Sequence, residues 1–319
     1  YDEIMPAEAK DFIQNYFGLR NEEMLAGGRY HNLKDLGSLP NPHKGKLSHP
    51  SWPSVPHPGF DNHHSIFHSI SESEKLLHLP YHSYNYILRF FNEAAIDPAV
   101  KEIYITLYRV AADSHIVNAL ISAAKNGKKV TVFVELKARF DEANNIKWSK
   151  RMKAAGIKII NSIPSLKVHA KVALIKRVED KEWKNYSFMA TGNFNESTGR
   201  FYTDHVLFTS HKEMGLELQW VFDYLQSRKQ PSDYMKIPFR HLLVSQFNMI
   251  KRFEKLVDRE IKNAKKGNAA GIIIKLNNLQ ERAMIEKLYE ASRAGVKVQL
   301  IVRSICSLAA GVEGQSENI

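Results

Sequence analysis

One cysteine, Cys306, in 319 residues leaves no partner for an intrachain disulfide and no thiol cluster for a metal, which fits a reducing cytoplasm. No apolar run approaches the length needed to span a bilayer, and Tyr1-Asp2-Glu3-Ile4 is not the start of a secretory signal. Two familiar phosphate-handling devices are also missing, the Gly-rich Walker loop and the protein-kinase catalytic loop, so phosphoryl chemistry here would need a histidine route. Acidic residues are in deficit. Against 45 Lys and Arg stand 34 Asp and Glu, a formal charge of +11 that favours a polyanionic partner: nucleic acid, a phosphate polymer, a nucleotide or a membrane surface.

What is present is enough for roughly two domains, with 44% hydrophobic residues to build their cores. The chain begins without Met and stops abruptly after Gln315-Ser316-Glu317-Asn318-Ile319, the pattern expected of a piece of something longer. Helical spacing over 7–19 presents Phe12, Ile13, Tyr16 and Phe17 on one side, with Gly27-Gly28 expected to close the element. From Ser38 to Gly59 the prolines at 40, 42, 50, 53, 56 and 58 forbid regular structure, so this stretch reads as an extended connection. Histidines 43, 49, 57, 63, 64 and 68 surround it, but their spacing matches no familiar metal site.

Beyond the connection the pattern alternates helix and strand. A helix over 83–95 ends at Asp97-Pro98, and a strand over 102–107 delivers Tyr108-Arg109 at its carboxyl end. Asp113 or Ser114 caps a helix running to Gly127, and a strand over 129–136 follows. Asp141 opens a helix carrying Ile146, Trp148 and Met152, closed by Gly156, before a strand over 157–160. Then come Ser165-Leu166-Lys167-Val168-His169-Ala170-Lys171-Val172-Ala173-Leu174-Ile175, a turn over 179–185 and a return strand over 186–191 leading to Thr191-Gly192-Asn193-Phe194-Asn195. That order is a layered α/β fold with a hairpin grafted on.

The central segment, read with strand period, puts Lys167, His169 and Lys171 on one face and Val168, Ala170, Val172 and Leu174 on the other. A histidine between two ammonium groups is a site for an anion; the plainer alternative is a half-buried strand with a solvated basic face. The chain also resembles itself. Ile116–Val134 lies without a gap over Met284–Val302 at an offset of 168, and Leu120, Ala123, Gly127, Lys129, Val130 and Val134 recur as Leu288, Ala291, Gly295, Lys297, Val298 and Val302. Upstream, Asn85, Arg89 and Phe90 recur as Asn248, Arg252 and Phe253. Common packing demands could produce such a likeness. A true repeat would place the counterpart of His169 near position 337, beyond Ile319.

Arg109, Arg139 and Arg303 are expected beyond the carboxyl ends of strands, where open α/β sheets bind ligands, and guanidinium groups suit several phosphates. His169 is the candidate nucleophile, since a neutral imidazole attacks phosphorus and carries the group as a phosphoramidate. Lys167 and Lys171 would hold its pKa down and neutralise phosphoryl oxygens. Asn193 and Asn195 could orient the ring or donate to phosphate, or else serve simple turn chemistry. Tyr202 and Asp204 follow, a tyrosine being able to stack on a nucleobase. Glu135, Asp141 and Glu142 could help hold magnesium, although phosphate oxygens would supply most ligands.

At these residues the chain resembles a known family. Ile105-Thr106-Leu107-Tyr108-Arg109, Val134-Glu135-Leu136-Lys137-Ala138-Arg139-Phe140-Asp141-Glu142, Lys167-Val168-His169-Ala170-Lys171, Thr191-Gly192-Asn193-Phe194-Asn195, Tyr202-Thr203-Asp204 and Ile301-Val302-Arg303 are similar to the bacterial polyphosphate kinases of the histidine-phosphorylated type, from about Gly28 to the last residue. The resemblance implies an ATP:polyphosphate phosphotransferase, reversible transfer of the terminal phosphate of ATP onto polyphosphate, with magnesium and a phosphohistidine at His169. It implies two phospholipase D-like α/β units, 54–236 complete and 237–319 truncated, after a 1–53 tail of a head domain with its Pro-rich linker. Lys171 and Asn193 go with the catalytic histidine, Tyr202 and Arg303 with ATP, and Lys167, Arg109 and Arg139 with phosphate. A guanidinium cannot ligate a cation, so the magnesium associated with Arg109 and Arg139 would ride on bound phosphates. The implied partners are ATP, ADP and polyphosphate, with no nucleic acid; a homo-oligomer in the bacterial cytoplasm, with peripheral membrane association, is the implied setting. Where the phospholipase D pattern expects an aspartate after the His-x-Lys motif, this chain has Ile175-Lys176-Arg177, which argues against a phosphodiesterase. A hydrolase or nuclease would nevertheless share the histidine and lysine and release a phosphomonoester. A non-catalytic polyanion-binding module would bind DNA and polyphosphate alike in a salt-sensitive way.

Overall fold

The computed structural model describes every residue except 30, 31, 44, 51, 61, 62, 136–141, 162, 164 and 165, and excludes the side chains of 34, 142 and 143. Asp141 and Arg139 therefore lie outside the described residues. The chain divides into two compact units, 1–53 and 54–319.

In the first unit α1 (Ala7–Phe17) stops at Gly18, whose φ of 63° sends its N–H back to the carbonyls of Asn15 and Gln14. This corrects the expected end at Gly27-Gly28. Gly27 instead bonds the amino terminus, donating to the Tyr1 carbonyl at 2.8 Å and accepting from Glu3 N–H at 3.2 Å. The aromatic side of α1 forms a ladder of its own, Phe12 on Tyr16 at 5.7 Å and Tyr16 on Phe17 at 5.0 Å, with all three rings exposed.

The second unit opens with α2 (Ile66–Glu72) and β1 (Lys75–Leu79), neither of which is legible in the His- and Ser-rich sequence. Then come α3 (Asn85–Ile96), β2 (Val100–Leu107), α4 (His115–Lys125), β3 (Lys129–Val134), α5 (Glu142–Ala154) and β4 (Lys158–Asn161). Ser114, rather than Asp113, caps α4 by accepting from Val117 N–H, and Gly127 at φ 78° ends that turn where a side chain would be strained. Next are the hairpin β5 (Lys171–Glu179) and β6 (Glu182–Ala190), joined through Asp180 and Lys181 at positive φ as a two-residue turn requires, then β7 (Asp204–Thr209) and α6 (Lys212–Ser227).

These strands form one mixed sheet of seven in the order β1-β7-β6-β5-β2-β3-β4, with β2, β3 and β4 parallel and the rest antiparallel. Both faces are covered. Ile103, Ile105, Ala173, Ile175, Phe188 and Phe208 face one cluster with α2 to α5, and Tyr104, Phe133 and Leu174 face another with α6 and the chain around Phe247. This explains why β2 and β3 read as near-continuous apolar runs, since parallel strands under two helical layers have no wet face.

The recurrence at an offset of 168 is structural. After α7 (Ile250–Lys265), β8 (Gly271–Leu276), α8 (Arg282–Arg293) and β9 (Lys297–Val302) repeat the helix, strand, helix and strand of α3 to β3. β8 and β9 pair parallel from Gly271↔Lys297 to Leu276↔Val302, matching Glu102↔Lys129 to Leu107↔Val134 in β2 and β3. Gly295 takes φ 87° where Gly127 takes 78°. Between the repeats Glu217 of α6, 4% exposed, accepts the N–H groups of Arg240, His241 and Leu242 at 2.7–3.1 Å. No helix among the described residues is long and apolar enough to cross a membrane.

Candidate functional site

β2 and β3 carry the site at their carboxyl ends, and β5 receives the segment that holds the histidine. Contrary to the sequence reading, Lys167, His169 and Lys171 do not share the face of a strand: β5 begins at Lys171, and residues 166–170 approach it as irregular chain. Lys167 and His169 are exposed, whereas Lys171 is 4% exposed because its side chain enters the side of the sheet that also takes Ala173 and Ile175. Val168 and Val172 fall with Leu174 on the opposite side, as the alternation predicts.

Two side chains fix that irregular approach. The Thr106 hydroxyl donates to the Ala170 carbonyl at 2.7 Å and accepts Val172 N–H at 3.1 Å, while Glu135 Oε2 accepts Val168 N–H at 3.4 Å. Glu135 is 2% exposed, and the buried Asn145 amide of α5 donates to the carbonyls of both Tyr108 and Glu135, at 2.9 and 3.1 Å. The strand ends that surround His169 are thereby tied to one another.

The Lys171 ammonium sits 2.9 Å from Nδ1 and 3.1 Å from Nε2 of His169. An ammonium has only donors, so this contact requires an unprotonated ring nitrogen. Loss of hydration, then the charges of Lys171, Lys167 and Arg109, holds the imidazole pKa below its ordinary value. Burial lowers Lys171 to about 8, opposed by the Asp204 carboxylate and assisted by Arg109 and Lys167. Tyr108, a residue with no distinguishing signal in the sequence, lies at the centre of these cations. Its ring is 4.8 Å from the imidazole at 78°, and its centroid is 5.4 Å from Lys167 Nζ, 5.5 Å from Lys171 Nζ and 5.8 Å from Arg109 Cζ.

Asp204 is the second residue whose part the sequence did not disclose. Its carboxylate accepts from Thr191 Oγ1 at 2.7 Å, and a Cβ on Gly192 would stand 2.3 Å from its Oδ2, so glycine is needed there for close approach. The two asparagines divide. Asn195 does turn work, its Oδ1 accepting the N–H groups of Ser197 and Thr198 at 3.1 Å, whereas Asn193 Oδ1 is buried without a hydrogen-bond partner among the described residues. Tyr202 is exposed and lies tilted against Phe201, with ring centroids 5.0 Å apart. Arg303 is exposed immediately after β9 on the two-stranded sheet, and among the described residues no hydrogen bond or ring contact joins it or Tyr202 to His169. Arg139 lies outside the described residues.

No group of three His, Cys, Asp or Glu among the described residues could hold a metal ion. The magnesium role considered for Glu135 is further weakened by its engagement with Val168 N–H.

A mixed α/β sheet gathers an imidazole and three cations at its strand ends, a set whose chemistry suits an anion rich in oxygen. Residues 65–231 match the family model of polyphosphate kinase C-terminal domain 1, and residues 242–319 that of polyphosphate kinase C-terminal domain 2. The chain belongs to the polyphosphate kinase family. It is 43% identical to a polyphosphate kinase of Yersinia pestis and 44% identical to one of Escherichia coli strain K12, covering 100% of this chain and 46% of each relative. It is also similar to the crystal structure of polyphosphate kinase from Porphyromonas gingivalis, with a TM-score of 0.80 and 40% identity over 100% of this chain and 48% of that one. The chain thus spans a little under half the length of the relatives it matches.

Proposed function

We propose that the protein containing this chain transfers the terminal phosphate of ATP reversibly to inorganic polyphosphate through a phosphohistidine at His169. The observation that carries the reading is the His169 ring held 2.9 Å from Lys171 Nζ, with Lys167 and Arg109 gathered at the Tyr108 ring that packs against it. The ring nitrogen attacks the terminal phosphorus, a P–N bond forms as the P–O bond to ADP breaks, and ADP leaves with that electron pair. The proton on the other ring nitrogen passes to solvent. A terminal oxygen of polyphosphate then attacks the same phosphorus, P–O replaces P–N, and the imidazole regains its proton. Lys167, Lys171 and Arg109, with Arg139, neutralise the phosphoryl oxygens, and Asn193 offers its amide to them. Tyr202 stacks on the base and Arg303 meets the nucleotide. Magnesium would be held by the phosphates that the arginines bind, since the described residues supply no carboxylate cage for it.

The same reading divides the chain into 1–53, 54–236 and 237–319; the compact unit 1–53 supports the first boundary, and the repeat supports a second unit of the same kind towards the end of the chain. The test is incubation of the full-length protein with γ-labelled ATP. An acid-labile, base-stable label that disappears in His169→Ala is expected, and label persisting in that variant would overturn the assignment. Release of a phosphomonoester from a diester would favour hydrolysis instead.

A further inference from the structure

We infer that Thr106 and Glu135 are a pair of positioning residues that fix the main chain on either side of His169 and so aim its ring. This rests on the reading of His169 as the phosphoryl carrier. The residue itself lies in irregular chain, where no ladder of backbone hydrogen bonds sets the direction of its side chain. Its neighbours are held from two different strands. Val168 N–H is received by Glu135 at the end of β3, and the Ala170 carbonyl and Val172 N–H are both taken by Thr106 within β2. With residues 168 and 170 each bonded to the sheet, residue 169 has little freedom except at its side chain.

The repeat supplies an internal control. Glu135 N–H donates to the Leu107 carbonyl at 3.0 Å, and Arg303 N–H donates to the Leu276 carbonyl at 3.1 Å, so the two residues occupy equivalent positions. In the second repeat that position takes an exposed arginine. The backbone arrangement therefore does not demand a carboxylate, and one buried to 2% exposure needs bonded partners, of which Val168 N–H is one. Thr106 is likewise 2% exposed, and its hydroxyl spends both its donor and its acceptor capacity on the segment around His169. Val would fill the same volume in β2 and lose both bonds.

The experiment uses the full-length protein with Thr106→Val and Glu135→Leu, which remove the bonds, and Thr106→Ser and Glu135→Gln, which keep an acceptor. Initial labelling of His169 by γ-labelled ATP should fall by about 10²-fold in each of the first pair at unchanged KM for ATP, as expected when a reacting group is displaced by about 1 Å. Thr106→Ser and Glu135→Gln should restore most of that rate. Independently of turnover, the His169 ring is followed by NMR titration. Its midpoint should lie below the ordinary imidazole value in the parent and move up towards it in Thr106→Val, as the ring leaves Lys171 and Arg109. Unchanged labelling and titration in Thr106→Val and Glu135→Leu, or no rescue by the conservative variants, would overturn the inference. A parent protein that takes no label while the titration still shifts would overturn the proposed function and leave the positioning role intact.

Discussion

In the first repeat β2 and β3 end in Tyr108-Arg109 and a buried Glu135; in the second, β8 and β9 end in Asn277-Asn278 and an exposed Arg303. The backbone is nearly the same in both, down to the N–H that closes each strand end. What differs is the cover. The first sheet is packed on two faces, so charges at its edge lose water and depend on one another. In this chain, which spans under half the length of its relatives, β8 and β9 have one covered face, with Ile273 77% exposed and Ile301 59% exposed on the other, and Arg303 is exposed. Within this chain the strand ends of the two repeats therefore differ in setting: perturbed groups gather around His169, and Arg303 stands exposed.

Exchanging the two strand-end residues is the strongest way to break the comparison. Glu135→Arg would bury an unpaired guanidinium, and urea unfolding should show a loss of about 3–5 kcal/mol, whereas Arg303→Glu should change stability by no more than about 0.5 kcal/mol. Equal costs would mean that the two settings are alike.

Lys171 sharpens the same contrast, because its ammonium is charged at a cost. In the folded protein its pKa is about 8, against 10.5 unfolded. Between those values the unfolded chain binds more protons, so stability rises with pH across that window and the penalty is complete below pH 8. Lys171→Met should therefore stabilise the protein at pH 7 by up to about 3 kcal/mol, with the gain fading towards pH 10.5, in thermal melts taken across pH. Phosphate binding should be lost in the same variant, and a variant less stable than its parent at pH 7 would contradict the account.

A smaller difference is expected at glycines. A Cβ on Gly199 would meet the Tyr84 ring at 2.4 Å, so Gly199→Ala should cost about 1–3 kcal/mol. In β8, Gly271 has nothing nearer than 3.8 Å, and Gly271→Ala should be neutral or stabilising by about 0.5 kcal/mol. Gly127→Ala and Gly295→Ala should each cost about 1 kcal/mol and agree with one another, since both sit at positive φ in the same turn with open space around them. Clearly unequal values would show that the repeats diverge in backbone as well as in cover.

Helix and strand order from Asn85 to Asn161 was legible because Ser114, Gly127 and Gly156 punctuate strongly periodic apolar runs, and the repeat doubled that signal. The histidine, its two lysines and Arg109 could be picked out by residue type alone. Their arrangement could not. Alternation of Lys167, His169 and Lys171 imitated a strand face, while the irregular chain that leads into β5 is bonded by Thr106 and Glu135, distant in sequence. Tyr108 and Asp204 were noted by position, but their parts were not readable for a related reason: an aromatic at a strand end and an aspartate after a turn are common, and only tertiary approach to His169 and Lys171 distinguishes them. β1 and α2 were hidden because short elements among His and Ser residues carry too few apolar positions to show a period.

The carboxylate of Glu217 bears on how this chain can be divided. Three successive N–H groups, from Arg240, His241 and Leu242, converge on it from beyond the end of α6. A fragment cut at Ser227 would retain the whole seven-stranded sheet yet strip those donors from a carboxylate only 4% exposed. The natural scissors point for expressing the first repeat alone is therefore past Leu242, and the few residues between α6 and that point belong energetically to the sheet they follow.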